Sequence, residues 1–186
     1  MIKDYMNHGS AGSKKVLMIV APTNFRDEEF FDPKKILEEN GYTIVIASKG
    51  MNSVISSFGK SISMDIDISM KPVIVDDYAA VIFVGGTGSS VYFEYDRALK
   101  IAQEAFVSNN VKVLAAICIA PTILGNAGVL KGKRVTSWPS EQVDLERSGA
   151  TYTGEHVTID GKIVTANGPR VAEEFGKAIL SLLSKN

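Results

Sequence analysis

Apolar positions along the chain follow two patterns. Val16-Leu17-Met18-Ile19-Val20-Ala21 is a continuous apolar run, and so is Ala79 to Val84; Val111 to Ile117 is nearly one. Runs of this kind predict strands buried on both faces of a parallel sheet. Tyr42 to Ala47 reads as a further β-rich strand. Between these runs the period changes to that of a helix. Asp27 to Asn40 is helical, with Gly41 where a C-cap glycine belongs. Asp96 to Asn109 places Ala98, Ile101, Ala102, Ala105 and Phe106 at helical spacing, and Arg170 to Leu183 is amphipathic. Ala120 to Ala127 is a short helix with Pro121 in its first turn, where proline is tolerated.

Arg134 to Ser137 is read as a strand and Glu141 to Ser148 as a helix. Val157-Thr158-Ile159 and Ile163-Val164-Thr165 flank Asp160-Gly161, a strong hairpin signal. The stretch from Val54 to Val75 is different. Serines and Gly59 interrupt it, and Ser63 to Ile68 alternates, which predicts short strands or a hairpin at the sheet edge. Strands alternate with helices nearly throughout. The expected fold is α/β, a flavodoxin-like three-layer sandwich with a mostly parallel central sheet. Residues 1–14 read as a flexible tail or an expression remnant, and 15–186 as a single domain.

Composition narrows the chemistry. Lys and Arg number 20 against 21 Asp and Glu, for a formal net charge of −1 in 186 residues. That balance supplies no field for nucleic acid or an anionic membrane. No apolar run reaches the roughly 18 residues that span a bilayer, and the N-terminus lacks an apolar stretch, so a cytoplasmic location is expected. One cysteine and two histidines exclude an internal disulfide framework and a cysteine-rich zinc module. No metal site is visible, and no segment matches a dinucleotide or Walker fingerprint, so no cofactor is expected. Met51, Met64, Met70 and Trp138 read as packing residues.

Open α/β sheets place their sites at the carboxyl ends of the strands. Three features fall there: the loop from Pro22 to Glu29, Gly85-Gly86, and Cys118. Cys118 lies at a strand-to-helix junction, the setting of a nucleophile elbow. The N–H groups of the following helix would favour a thiolate there, lowering a thiol pKa from about 8.5 to about 5.5. A buried cysteine acting as a small hydrophobe fits the junction equally well. Gly85 and Gly86, with the N–H of Ile119, offer an oxyanion hole or simply a tight turn. Glu29 stands among first-turn acids, which commonly serve only as dipole partners. Held against Cys118, its carboxyl would have to keep a proton.

Several segments together resemble one family. Glu29 to Pro33, Phe83-Val84-Gly85-Gly86, Ala115 to Pro121, Gly132 to Pro139 and Asp160 to Pro169 match motifs of the ThiJ/PfpI superfamily in order and spacing. That superfamily contains a parkinsonism-associated protein, chaperone-like relatives, glutathione-independent glyoxalases and intracellular proteases. The resemblance implies that Cys118 is the reactive cysteine, that Glu29 is its carboxylic-acid partner, and that Gly86 and Ile119 frame a small pocket. It also implies a homodimer or higher homo-oligomer. The chain departs from the pattern in places. Ile119 stands where protease-like and glyoxalase-like branches have a histidine after the cysteine. Trp138 replaces the histidine of the parkinsonism-type branch, Asn167 replaces its arginine, and Ser90 or nearby Glu94 stands near the acidic position of the protease branch. His8 lies in the tail, and His156 precedes a strand remote from these motifs, so both read as ordinary surface histidines.

Four functions follow from this set. A thiolate at Cys118 with a protonated Glu29 suits a stress or redox protein that reacts with peroxide or small dicarbonyls, and needs no histidine. The same pair fits a slow glyoxalase or deglycase. A cysteine amidase or protease lacks its base at Ile119. A chaperone-like binding module would leave the thiol pKa near its free value.

Overall fold

The computed structural model describes residues 13–50 and 52–185. The tail assigned to residues 1–14 falls almost wholly outside the described residues, as do His8 and Met51. In chain order the elements begin with β1 (Lys15–Ile19), β2 (Thr23–Phe25), α1 (Asp27–Glu39), β3 (Thr43–Ser48), β4 (Ser53–Ser56), β5 (Ser61–Ser63) and β6 (Ile66–Asp67). Next come β7 (Ala80–Phe83), α2 (Asp96–Val107), β8 (Val113–Ile117), α3 (Pro121–Asn126), β9 (Arg134–Val135) and α4 (Gln142–Arg147). The chain closes with β10 (Thr151–Tyr152), β11 (Val157–Asp160), β12 (Ile163–Ala166) and α5 (Ala172–Leu183).

Seven strands form the central sheet in the order β11-β12-β8-β7-β1-β3-β6. Every pairing in it is parallel except β11 with β12. That exception is the Asp160-Gly161 hairpin, with Asp160 opposite Ile163 and Val157 opposite Ala166. The continuous apolar runs have their cause in the layers. Along β1, Leu17 and Ile19 join the core under α2 and α3, whereas Val16 and Met18 join the core under α1 and α5. A strand covered on both faces has no position left for a polar side chain. The expected three-layer α/β sandwich is what the chain forms.

The stretch from Val54 to Val75 corrects one expectation. β4 and β5 do pair as an antiparallel hairpin, but they join β2 in a separate three-stranded sheet. Only two-residue β6 reaches the central sheet, at its edge beside β3. β2 and β10 were not anticipated; at three and two residues they are too short to show a period.

Two packing details set up the site. Pro33 lies inside α1 and lacks the N–H that would bond back to the carbonyl of Glu29. A Cβ on Gly176 of α5 would stand 2.9 Å from the Cα of Pro33, so glycine lets the two helices close at this point.

Candidate active site

β8 ends at Ile117, and the chain turns sharply at Cys118 with φ of 64°. A left-handed backbone at a residue other than glycine costs of order 1–3 kcal/mol. The fold holds the turn from both sides. The Cys118 N–H donates to the carbonyl of Ala166 at 2.9 Å, and the Trp138 N–H donates to the carbonyl of Cys118 at 2.8 Å. The nucleophile elbow expected from the junction is thus present as backbone geometry. Its helix is weaker than expected, because α3 has only six residues. Individual N–H groups, those of Gly86 and Ile119, act on the sulfur instead and favour its charged form.

Glu29 comes from the first turn of α1 and is completely buried. Neither of its carboxyl oxygens has a hydrogen bond of good geometry among the described residues. The Cys118 thiol and the Gly85 N–H nevertheless lie close enough to draw its pKa down. Burial outweighs both and pushes the carboxyl up to about 8. A buried carboxyl without firm donors keeps its proton.

The cysteine departs from the simple expectation. Burial, and after it the negative charge of Glu29, push the Cys118 thiol up to about 12. The sequence pointed to a helix that lowers the value; the structure adds burial, and after it a buried acid, which raise it. Both groups are raised chiefly because a dry site resists any charge, and at Cys118 the charge of Glu29 adds to that rise.

Gly85 and Gly86 explain how four segments fit around one sulfur. A Cβ on Gly85 would stand 2.5 Å from the carbonyl oxygen of Ile117 and 2.6 Å from Cβ of Cys118, and would collide with Oε2 of Glu29. A Cβ on Gly86, whose φ is 101°, would stand 2.5 Å from both the N of Arg26 and the O of Asn24. The Arg26 N–H also donates to the carbonyl of Gly85 at 3.0 Å. The structure therefore gathers Glu29, Gly85, Gly86, Cys118 and Ile119 in one place, by close approach of backbone to backbone.

Other residues sit elsewhere than expected. Ser90 and Glu94 line a different cavity, with Lys49 and Asn126. Trp138 is 47% exposed and Met70 is more exposed still, so neither belongs to the core, although the Trp138 ring packs against Gly168. His156 is not remote from the motifs. Its carbonyl accepts the N–H of Asn167 at 3.0 Å, and it lines a cavity together with Trp138, Gly168 and Pro169. Antiparallel pairing of β11 with β12 carries it there, a placement that local sequence did not reveal. Among the described residues no cluster of three His, Cys, Asp or Glu could hold a metal, and no helix is long and apolar enough to cross a membrane.

An α/β sandwich with a cysteine elbow facing a buried glutamic acid defines a class of cysteine-centred proteins. The model of the DJ-1/PfpI family matches residues 14–182, and the chain belongs to that family. It is 34% identical over 172 residues to a protein of Bacillus subtilis named putative cysteine protease YraA, covering 92% of this chain and 99% of that one. It is 29% identical over 153 residues to a protein of Pyrococcus abyssi named as a deglycase, covering 82% of this chain and 90% of that one. Among solved structures, the ThiJ/PfpI domain protein from Brachyspira murdochii superposes with a TM-score of 0.86 at 30% identity, covering 92% of this chain and 97% of that one.

Proposed function

We propose that the protein is a reactive-cysteine protein in which Cys118 attacks small electrophiles and Glu29 manages the proton. The observation that carries this is the strained elbow at Cys118 set against a buried carboxyl with no firm partner of its own. Both groups hold their protons at neutral pH and one is given up on reaction, so the pair carries at most one negative charge there. When that charge is on sulfur, the N–H groups of Gly86 and Ile119 stabilise it, and Glu29 stands beside it as a neutral donor. Repulsion between the two groups is then absent.

With peroxide, the sulfur attacks one oxygen and the O–O bond breaks. Glu29 gives its proton to the leaving hydroxide, so Cys118 becomes a sulfenic acid and water departs. No histidine is needed, which suits a chain with Ile119 after the cysteine. With an aldehyde, the sulfur adds to the carbonyl carbon and the same proton goes to the oxygen, giving a hemithioacetal. The name of the Pyrococcus abyssi relative favours this second route as the alternative.

Intact-mass measurement after mild peroxide tests the proposal. Although burial holds the resting Cys118 as a thiol, it is expected to gain one or two oxygen atoms well before a free thiol at the same pH, because Glu29 supplies the proton that the leaving hydroxide takes. Oxidation no faster than that of glutathione would end the redox assignment.

A further inference from the structure

The start of α1 is held from outside, by the β4–β5 hairpin of the three-stranded sheet. Three consecutive residues each reach that hairpin. The Phe25 carbonyl accepts the N–H of Ser57 at 2.8 Å and its hydroxyl at 3.1 Å. The Arg26 guanidinium lies 4.8 Å from the centre of the Phe58 ring. The Asp27 carboxyl accepts from Ser56 Oγ at 2.8 Å and from the Phe58 N–H at 3.1 Å. Asp27 and Glu29 are the two buried acidic side chains among the described residues, and the chemistry proposed above uses only the second. A first-turn acid commonly serves the dipole of its own helix. Asp27 instead directs both oxygens to another element, which makes it an anchor between α1 and the hairpin.

The anchor lies one residue from the group that aims the site. The Arg26 N–H donates to the Gly85 carbonyl at 3.0 Å. No peptide bond among the described residues is cis, and across a trans peptide the C=O and N–H point in opposite directions. Holding the Gly85 carbonyl on Arg26 therefore turns the Gly86 N–H the other way, to Cys118, whose charged form it favours. This peptide is in close contact with the elbow, since a Cβ on Gly85 would stand 2.6 Å from Cβ of Cys118. Glu29 follows two residues after Asp27, in the same first turn.

We infer that Asp27 is a positioning residue for Cys118: by tying the start of α1 to the β4–β5 hairpin it fixes the Arg26 N–H, and through it the Gly85–Gly86 peptide that faces the sulfur. This rests on Cys118 being the nucleophile proposed above. Asp27 touches neither the sulfur nor its reagent and acts only through the backbone.

The full chain, with its single cysteine, serves for the test. Iodoacetamide alkylates it at pH 8, and intact mass follows the product. The sulfur bonds to the methylene carbon, the C–I bond breaks, iodide leaves and the thiol proton goes to solvent. Asp27→Ala is expected to slow this about tenfold, because a loosened peptide weakens a hydrogen bond to a charged sulfur. Asp27→Asn should recover most of the rate. Its carbonyl can accept the Phe58 N–H, and its amide can donate to Ser56 Oγ, which already accepts the Lys60 N–H and has a second lone pair. Ser56→Ala should slow the reaction about threefold, and adding it to Asp27→Ala should slow it no further. A role in stability alone predicts the opposite sign. Unfolding frees a thiol that titrates near 8.5, and this reacts faster than a buried one near 12. Low urea concentrations separate the two routes, since a native-state rate stays flat while a rate through unfolding climbs. Asp27→Ala at wild-type speed or faster, with a flat urea dependence, overturns the inference. If that variant does not fold, Ser56→Ala at wild-type speed does so. An unreactive wild-type Cys118 removes the nucleophile reading and this inference with it, whereas a reactive Cys118 indifferent to the hairpin removes the inference alone.

Discussion

Asn24 and Cys118 are the two described residues other than glycine with positive φ, at 57° and 64°. Their backbones are nearly the same shape, and their reasons differ. Asn24 lies on an exposed corner in β2, and asparagine enters the left-handed region readily because its side chain can bond locally. Cysteine has no such facility. Its corner is imposed by β8, by the bond to Ala166 and by the bond from Trp138. The two corners also press on one dipeptide from opposite sides. Cys118 and Ile117 crowd Gly85, while Asn24 and Arg26 crowd Gly86. A corner made by its own residue is local, whereas a corner made by its surroundings is a place where the fold stores strain.

The largest effect should come from the dipeptide between them. Gly85→Ala places a methyl against the Glu29 carboxyl, the Ile117 carbonyl and Cβ of Cys118, and the last two, 2.5 Å and 2.6 Å away, are held by the backbone and cannot swing aside. A loss of about 3 kcal/mol or more is expected in urea denaturation, together with loss of Cys118 reactivity. A variant of native stability would mean that the two loops are not in contact.

An intermediate effect should come from Glu29. Its folded pKa of about 8 lies above its ordinary value of 4.5, so the native state holds a proton that the unfolded chain has released. Between those values stability falls as pH rises, by up to about 1.4 kcal/mol per pH unit from this group. Glu29→Gln should flatten that slope. It should also lower the pH midpoint of Cys118 alkylation, since an amide removes the negative charge that Glu29 takes up above about pH 8 and that helps to hold the thiol up. An unchanged midpoint would show that Glu29 carries no charge beside the sulfur when Cys118 titrates.

The smallest effect bears directly on the two corners. Alanine should be less stable than glycine by about 1 kcal/mol at both position 24 and position 118, because both backbones are left-handed. Asn24→Gly itself should change stability by less than about 0.5 kcal/mol. Equal stability of Cys118→Ala and Cys118→Gly in chemical denaturation would argue against a strained elbow.

What the sequence revealed follows the same division between local and imposed. Val16 to Ala21 and Ala79 to Val84 were legible as buried strands, since burial on both faces leaves an apolar run. Asp160-Gly161 was legible because a tight turn needs those residues themselves. Cys118 was legible as an elbow from its junction, although its raised pKa was not, because the burial that raises it most and the acid on α1 that adds to it are both set by packing of distant segments. Glu29 was tied to Cys118 by family resemblance alone, since no local pattern marks a first-turn acid as fully buried. His156 and the exposed Trp138 were misplaced for a related reason. β11 lies at the far edge of the sheet, and nothing in its own sequence says which loop it will face.

The strand order has a consequence for how the protein reaches this state. β12, which holds the elbow, is made after β8, and Glu29 waits on α1 from the first part of the chain. Non-local parallel pairings of this kind form slowly. Until α1 and β8 are packed on the same sheet, Cys118 has no acid partner and titrates near the value of a free thiol, about 8.5. The meeting of α1 and β8 is therefore written into the chemistry of one sulfur, and a thiol reagent applied during refolding would act as a clock for that step.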